Sequence, residues 1–128
     1  MIDYSNPTQL LAFPQINPES LEKLRISTVT QPQLLKDIFN SYVMDSRELL
    51  QEMREHSANG NMTGFYAAVH SLKGLAGTIG CTRMFQLLKW MDSLNKEEHF
   101  ADSAAKLEDL EQIFLDLERE INLQILNK

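Results

Sequence analysis

Apolar residues recur at intervals of three and four over most of the chain, the spacing that places them on one face of an α-helix. The pattern is strongest in four stretches, at about residues 30–58, 62–79, 82–95 and 103–121. In the first stretch it comprises Leu35, Ile38, Phe39, Tyr42, Val43, Leu49, Leu50 and Met53. No segment alternates apolar and polar residues convincingly, so a β-sheet is not expected. The pattern therefore predicts an all-α protein.

Turn and capping residues indicate how the chain is divided. Asn17 followed by Pro18 is typical of a helix start and predicts a short helix that ends near Ser27. Residues 1–17, which contain two of the four prolines, are predicted to form an irregular arm. Residues 95–102 are predicted to form a polar loop.

Four long amphipathic helices joined by short loops can bury their apolar faces only against one another. We therefore predict an antiparallel four-helix bundle with a short additional helix at its N-terminal end. A chain of 128 residues is of the size expected for one domain with its own core. The domain would comprise residues 1–128, with the arm at 1–17 and the helical bundle at 18–128.

Residues 62–79 divide into two faces when they are placed on a helix at about 100° per residue. The apolar face consists of Phe65, Ala68, Leu72, Leu75, Ala76 and Ile79. The opposite face consists of Thr63, Tyr66, Ala67, His70, Lys73, Gly74 and Gly77. An imidazole is thus predicted in the middle of a solvent-exposed helix face, with a lysine one turn later.

Glycines are concentrated around this helix, because all five in the chain lie between positions 60 and 80. Gly80 is predicted to be a turn residue at the helix end. Gly74 and Gly77 interrupt the helix itself, where each glycine costs about 1 kcal/mol relative to alanine. Stability offers no reason for two such residues beside a histidine, so we expect another molecule to approach this surface closely.

The segment His70-Ser-Leu-Lys73-Gly74-Leu-Ala-Gly77-Thr-Ile-Gly80 resembles the signature of histidine-containing phosphotransfer (HPt) domains of two-component phosphorelays. That signature is His-x-Leu-Lys-Gly, followed after five further positions by Gly. The run Tyr66-Ala67-Ala68-Val69 is also similar, and the predicted helices extend the likeness from about Leu21 to the C-terminus. The resemblance implies the same four-helix bundle that the apolar pattern predicts.

The resemblance also implies a function. His70 would accept a phosphoryl group from the aspartate of a receiver domain and pass it to the aspartate of another. The chain would be a phosphocarrier and not an enzyme, with response-regulator receiver domains and a hybrid sensor histidine kinase as its partners. Its own cofactor requirement would be none, because the receiver would supply Mg²⁺.

Further residues acquire expected roles from this resemblance. Lys73 would balance charge on the phosphoryl group or steer the receiver into place. Gly74 and Gly77 would let the receiver approach the helix backbone, and Tyr66 and Ala67 would form the lower edge of the same docking surface.

Asp92 is a candidate for orienting the histidine ring. It lies twenty-two positions after His70, where the family often has a glutamine or glutamate that accepts a hydrogen bond from the inner ring nitrogen. Aspartate is shorter by one methylene, so a direct hydrogen bond, a water bridge and no contact all remain open.

Other kinds of function find little support. No glycine-rich phosphate-binding loop occurs, so phosphorylation from ATP is not expected. The three histidines lack the spacing of metal ligands, so no metal is expected. The net charge of −6 argues against nucleic acid, and no apolar run is long enough to span a membrane. A single cysteine, Cys81, suits a reducing compartment, so we expect a cytoplasmic protein.

Two alternatives stay open. The first is a helical adaptor that binds a receiver or a histidine kinase without carrying phosphate. The second is the dimerisation bundle of a histidine kinase, which would require an ATP-binding domain and a dimer. We expect a monomer.

Overall fold

The structure is a computed structural model that describes residues 1–94 and 96–127. Its helices are α1 (Pro7–Leu10), α2 (Pro18–Ser27), α3 (Pro32–Ala58), α4 (Met62–Ile79), α5 (Thr82–Ser93), α6 (Lys96–Ala104), α7 (Leu107–Ile121) and a terminal π-helix (Asn122–Leu126). The described residues contain no β-strand, so the prediction of an all-α protein is confirmed. None of the described helices has the length and apolarity needed to cross a bilayer.

Helices α3, α4, α5 and α7 form the bundle, and each packs against two of the others. Their apolar faces meet in one core, to which the four helices contribute the fully buried Phe39, Leu72, Met84 and Leu117. Full burial of such side chains stabilises the fold by roughly 1.5–3 kcal/mol each. The four-helix bundle with an additional short N-terminal helix is therefore confirmed.

The N-terminal arm packs along the turn between α4 and α5. The backbone N–H of Arg83 donates to the carbonyl of Pro14 at 3.0 Å, and its guanidinium donates to the carbonyl of Phe13 at 2.9 Å. Leu10 is fully buried. The arm is less irregular than predicted because Asn6 caps the single-turn helix α1, accepting a hydrogen bond from the backbone N–H two residues later.

Residues 96–104 differ most from the sequence-based expectation. They form α6, whereas we predicted a polar loop over 95–102, and Asn95 lies outside the described residues. Periodicity missed this helix because its outward positions are charged and only Phe100 supplies a large apolar contact. Consequently the last bundle helix begins at Leu107 and not near residue 103.

Candidate functional site

Helix α4 presents His70 to solvent from a well-anchored scaffold. The side chain of Asn61 caps its start by accepting the backbone N–H three residues later at 3.0 Å. Gly80 ends it with a φ of 88°, in the left-handed region that favours glycine. Val69 and Leu72 are fully buried and fix the rotation of the helix. Between them, the side chain of His70 is 75% exposed.

Asp92, on α5, lies beside His70 but is closer to Lys73. Its Oδ2 atom is 3.8 Å from His70 Nδ1, which is beyond hydrogen-bond distance. The same oxygen accepts a hydrogen bond from Lys73 Nζ at 2.6 Å. The other oxygen, Oδ1, lies 3.4 Å from Lys96 Nζ and, among the described residues, has no hydrogen-bond partner. Of the three outcomes left open by the sequence, the direct hydrogen bond to His70 is thus absent.

The environment of Asp92 keeps its carboxylate charged. Its side chain is only 13% exposed, and this burial acts to raise the pKa. The hydrogen bond and charge of Lys73, together with the nearby Lys96, outweigh burial, so the pKa of Asp92 is lowered from its ordinary value of 3.8. At neutral pH an ionised carboxylate beside the exposed imidazole therefore contacts two ammonium groups, Lys73 Nζ at 2.6 Å and Lys96 Nζ at 3.4 Å.

Lys96 is the site residue that the sequence analysis missed. It is the first residue of α6, and its Nζ also lies 5.1 Å from the centre of the Tyr66 ring. The spacing of Asp92 and Lys96, four residues apart, is a signal that could have indicated the pair. That signal was hidden because the two residues belong to different helices and the second helix was not predicted.

Tyr66 does not lie on the solvent face, so its predicted place in an exposed docking surface is wrong. Its exposure is only 4%, and its hydroxyl donates a hydrogen bond to Ser103 Oγ at 3.0 Å. Its ring packs against Phe65 and Phe100. The helical projection put Tyr66 on the outer face, and α6, which was not predicted, covers it there. Ala67, the neighbouring residue in the same prediction, is exposed.

Three glycines of the signature have different surroundings. A Cβ atom added at Gly74 would meet no heavy atom of the described residues within 4 Å. One added at Gly77 would lie 3.3 Å from Cε2 of Phe85, and one at Gly80 would lie 2.7 Å from Cβ of Ser20. Packing within the chain therefore gives a reason for glycine at 77 and 80. It gives none at Gly74, which is exposed one turn after the histidine.

An apolar groove borders this part of α4. It has a volume of about 350 Å³ and lies where α2, α3 and α4 meet. Its lining includes Leu24, Ile38, Tyr42, Asp45, Leu75 and Thr78. Thr78 also donates a hydrogen bond to the carbonyl of Gly74 at 2.9 Å. The groove thus begins next to the exposed backbone at Gly74.

The sequence of the chain matches a known protein family. A family model of the Hpt domain matches residues 37–121, which is more than half of the chain and includes all of α4 together with Asp92 and Lys96. Comparisons with curated proteins and with solved structures find no match. The extent of the family match shows that the chain belongs to the Hpt domain family.

Proposed function

We propose that this chain is a phosphorelay intermediate that takes a phosphoryl group from the aspartate of one receiver domain onto His70 and delivers it to the aspartate of another. Membership of the Hpt family supports a phosphotransfer role. The observation that carries the assignment to this residue is the 75% exposure of the His70 side chain at the middle of α4. A group-transfer nucleophile must meet a reacting atom on another protein, and His70 is accessible for that contact.

The transfer step follows from the two ring nitrogens. Nδ1 faces Asp92 at 3.8 Å and carries the ring proton in our proposal, which leaves a lone pair on Nε2. That lone pair attacks the phosphorus of the aspartyl phosphate. A bond forms between Nε2 and phosphorus, the bond from phosphorus to the aspartate oxygen breaks, and the carboxylate leaves with the electron pair. Transfer to the second receiver reverses these changes.

Charge stabilisation is what phosphoryl transfer mainly requires of a protein, and two lysines are placed to provide it. Lys73 and Lys96 each contact a different oxygen of Asp92, whose Oδ2 lies 3.8 Å from the His70 ring nitrogen Nδ1. Lys73, Lys96 and the ionised Asp92 together carry a net charge of +1. An incoming phosphoryl dianion would therefore be attracted, and either ammonium can turn to it from the carboxylate. Mg²⁺ would be supplied by the receiver.

Docking would use the side of the molecule that carries the groove. Gly74 has no side chain to keep a partner from the α4 backbone, and Leu75 and Thr78 lead from it into the groove. We propose that an apolar part of the receiver surface occupies the groove while its aspartate meets His70. We place this exchange in the cytoplasm and expect the chain to act as a monomeric carrier without ATP-binding machinery.

The test is direct transfer of label. The protein is incubated with a receiver domain carrying ³²P on its aspartate, and label on the chain should be acid-labile and alkali-stable. His70→Gln should abolish that label, while His99→Gln, which alters a histidine paired with Asp102 on α6, should retain it. Binding of the receiver without labelling would identify the chain as an adaptor and would overturn the carrier proposal.

A further inference from the structure

A buried hydroxyl connects three helices beside the phosphoryl site. Tyr66, on α4, donates to Ser103 Oγ on α6 at 3.0 Å, and Ser103 Oγ donates to the carbonyl of Met91 on α5 at 3.3 Å. Tyr66 is 4% exposed and Ser103 is fully buried. Because both hydroxyls are out of solvent, breaking this chain of hydrogen bonds would leave a buried polar group without a partner.

The same tyrosine also contacts the other end of α6. Its ring lies under the ammonium of Lys96 at 5.1 Å, while its hydroxyl holds Ser103 seven positions later. Helix α6 has nine residues and a non-helical conformation at His99 (φ −119°, ψ 16°). A helix this short has little stability of its own in water, so tertiary contacts must fix its position. Tyr66 supplies two of those contacts from a single side chain.

From this arrangement we infer that Tyr66 and Ser103 are positioning residues that fix α6 and thereby keep Lys96 at the phosphoryl site. The inference rests on the proposed function, because it assigns to α6 the task of delivering the second positive charge to His70. It also gives Tyr66 a role different from surface docking: the residue acts from the interior, through Lys96.

The test removes one hydroxyl at a time. Tyr66→Phe keeps the ring under Lys96 but releases Ser103, and Ser103→Ala releases the same bond from the other side. Ser46→Ala is the matched control, since Ser46 is as fully buried as Ser103 but lies on α3, away from α6. The measured quantity is the initial rate at which His70 is phosphorylated by phosphoramidate, a small donor that needs no docking surface.

We expect Tyr66→Phe and Ser103→Ala to lower this rate about fivefold, the size of an ordinary coupling between contacting groups, and Ser46→Ala to leave it unchanged. In a Lys96→Ala background Tyr66→Phe should have no further effect, whereas Lys96→Arg should retain most of the rate. Equal rates for Ser103→Ala and Ser46→Ala would overturn the inference. So would full additivity of Tyr66→Phe with Lys96→Ala.

A second measurement separates this inference from the proposed function. Tyr66→Phe should raise amide hydrogen exchange in residues 96–104 selectively, and this readout needs no phosphate. Failure of the unaltered protein to be labelled on His70 by either donor would refute the carrier function, and the role assigned to Lys96 with it. Labelling of the unaltered protein with unchanged exchange in α6 of the variant would refute the positioning role alone.

Discussion

Replacement of Gly74 distinguishes a glycine kept for folding from one kept for a partner. Gly74→Ala adds a methyl group at a position inside α4 where a Cβ atom would meet none of the described residues within 4 Å. The φ of Gly74 is not in the left-handed region, which only Gly60 and Gly80 occupy among the glycines of the described chain. Alanine is favoured over glycine in a helix interior by about 0.8–1.0 kcal/mol. The free energy of unfolding should therefore rise by about 1 kcal/mol, and the melting temperature by about 4 °C for a domain of this size.

A larger side chain at position 74 should slow phosphoryl transfer even where it does not destabilise the helix. Gly74→Gln extends a side chain over the surface beside His70, and we expect it to slow transfer from a phosphorylated receiver at least tenfold while the helical circular dichroism is unchanged. Urea unfolding gives the stability, and transfer of ³²P gives the rate. Leu115→Gln is the matched control, because Leu115 is 51% exposed on α7 and is not part of the groove beside Gly74.

Two results would refute this reasoning. If Gly74→Ala lowered the free energy of unfolding, the glycine would have a role within the fold that its open surroundings do not reveal. If Gly74→Gln transferred phosphate as fast as Leu115→Gln, a partner would not approach the α4 backbone at this point. Gly80→Ala is a control with the opposite expected effect on stability. Gly80 has a φ of 88°, and a Cβ atom added there would lie 2.7 Å from Cβ of Ser20, so this variant should be less stable by more than 1 kcal/mol.

Three further predictions concern charged and buried groups. Lys73→Ala should slow transfer or shorten the lifetime of phosphorylated His70, because one of the two nearby ammonium groups is lost; unchanged kinetics would reduce Lys73 to a solubilising charge. Asp92→Asn should lower the free energy of unfolding by about 1 kcal/mol. Because folding lowers the pKa of Asp92, the difference in the free energy of unfolding between the two proteins should be fully present above pH 3.8 and should disappear as the pH falls through the folded-state pKa. Urea titrations from pH 7 to 3 that gave a constant difference would contradict this. Burial raises the pKa of the Cys81 thiol to about 12, so Ellman's reagent at pH 8 should react with it only in urea, and rapid labelling of the native protein would disprove its burial.

The sequence was most informative where local signals and periodicity agree. The bounds of α4 were predicted correctly because Asn61, which caps the start of the helix, and Gly80, which ends it, lie on either side of a clear apolar stripe. The position of His70 on the outer face followed from that stripe alone. Asp92 could be placed near His70 only through the family resemblance, since no local pattern connects α4 with α5.

What the sequence could not provide depends on tertiary contacts. Helix α6 is held by Phe100 packing on Phe65 and by the buried hydroxyl of Ser103, and neither contact leaves a periodic trace in residues 95–104. Missing α6 caused two further errors. Lys96 was not recognised as part of the site, and Tyr66 was assigned to solvent although α6 covers it.

The attachment of the N-terminal residues has a practical consequence for anyone dissecting the domain. The family match starts at residue 37, yet the backbone N–H of Asn17 donates to the carbonyl of Gly80 at 2.8 Å, and Leu10, Ile16 and Leu21 are at most 7% exposed. A fragment trimmed to residues 37–121 would lose these contacts and would expose the turn between α4 and α5 to water. Expression boundaries for crystallography or NMR should therefore be drawn from these contacts and not from the extent of family similarity.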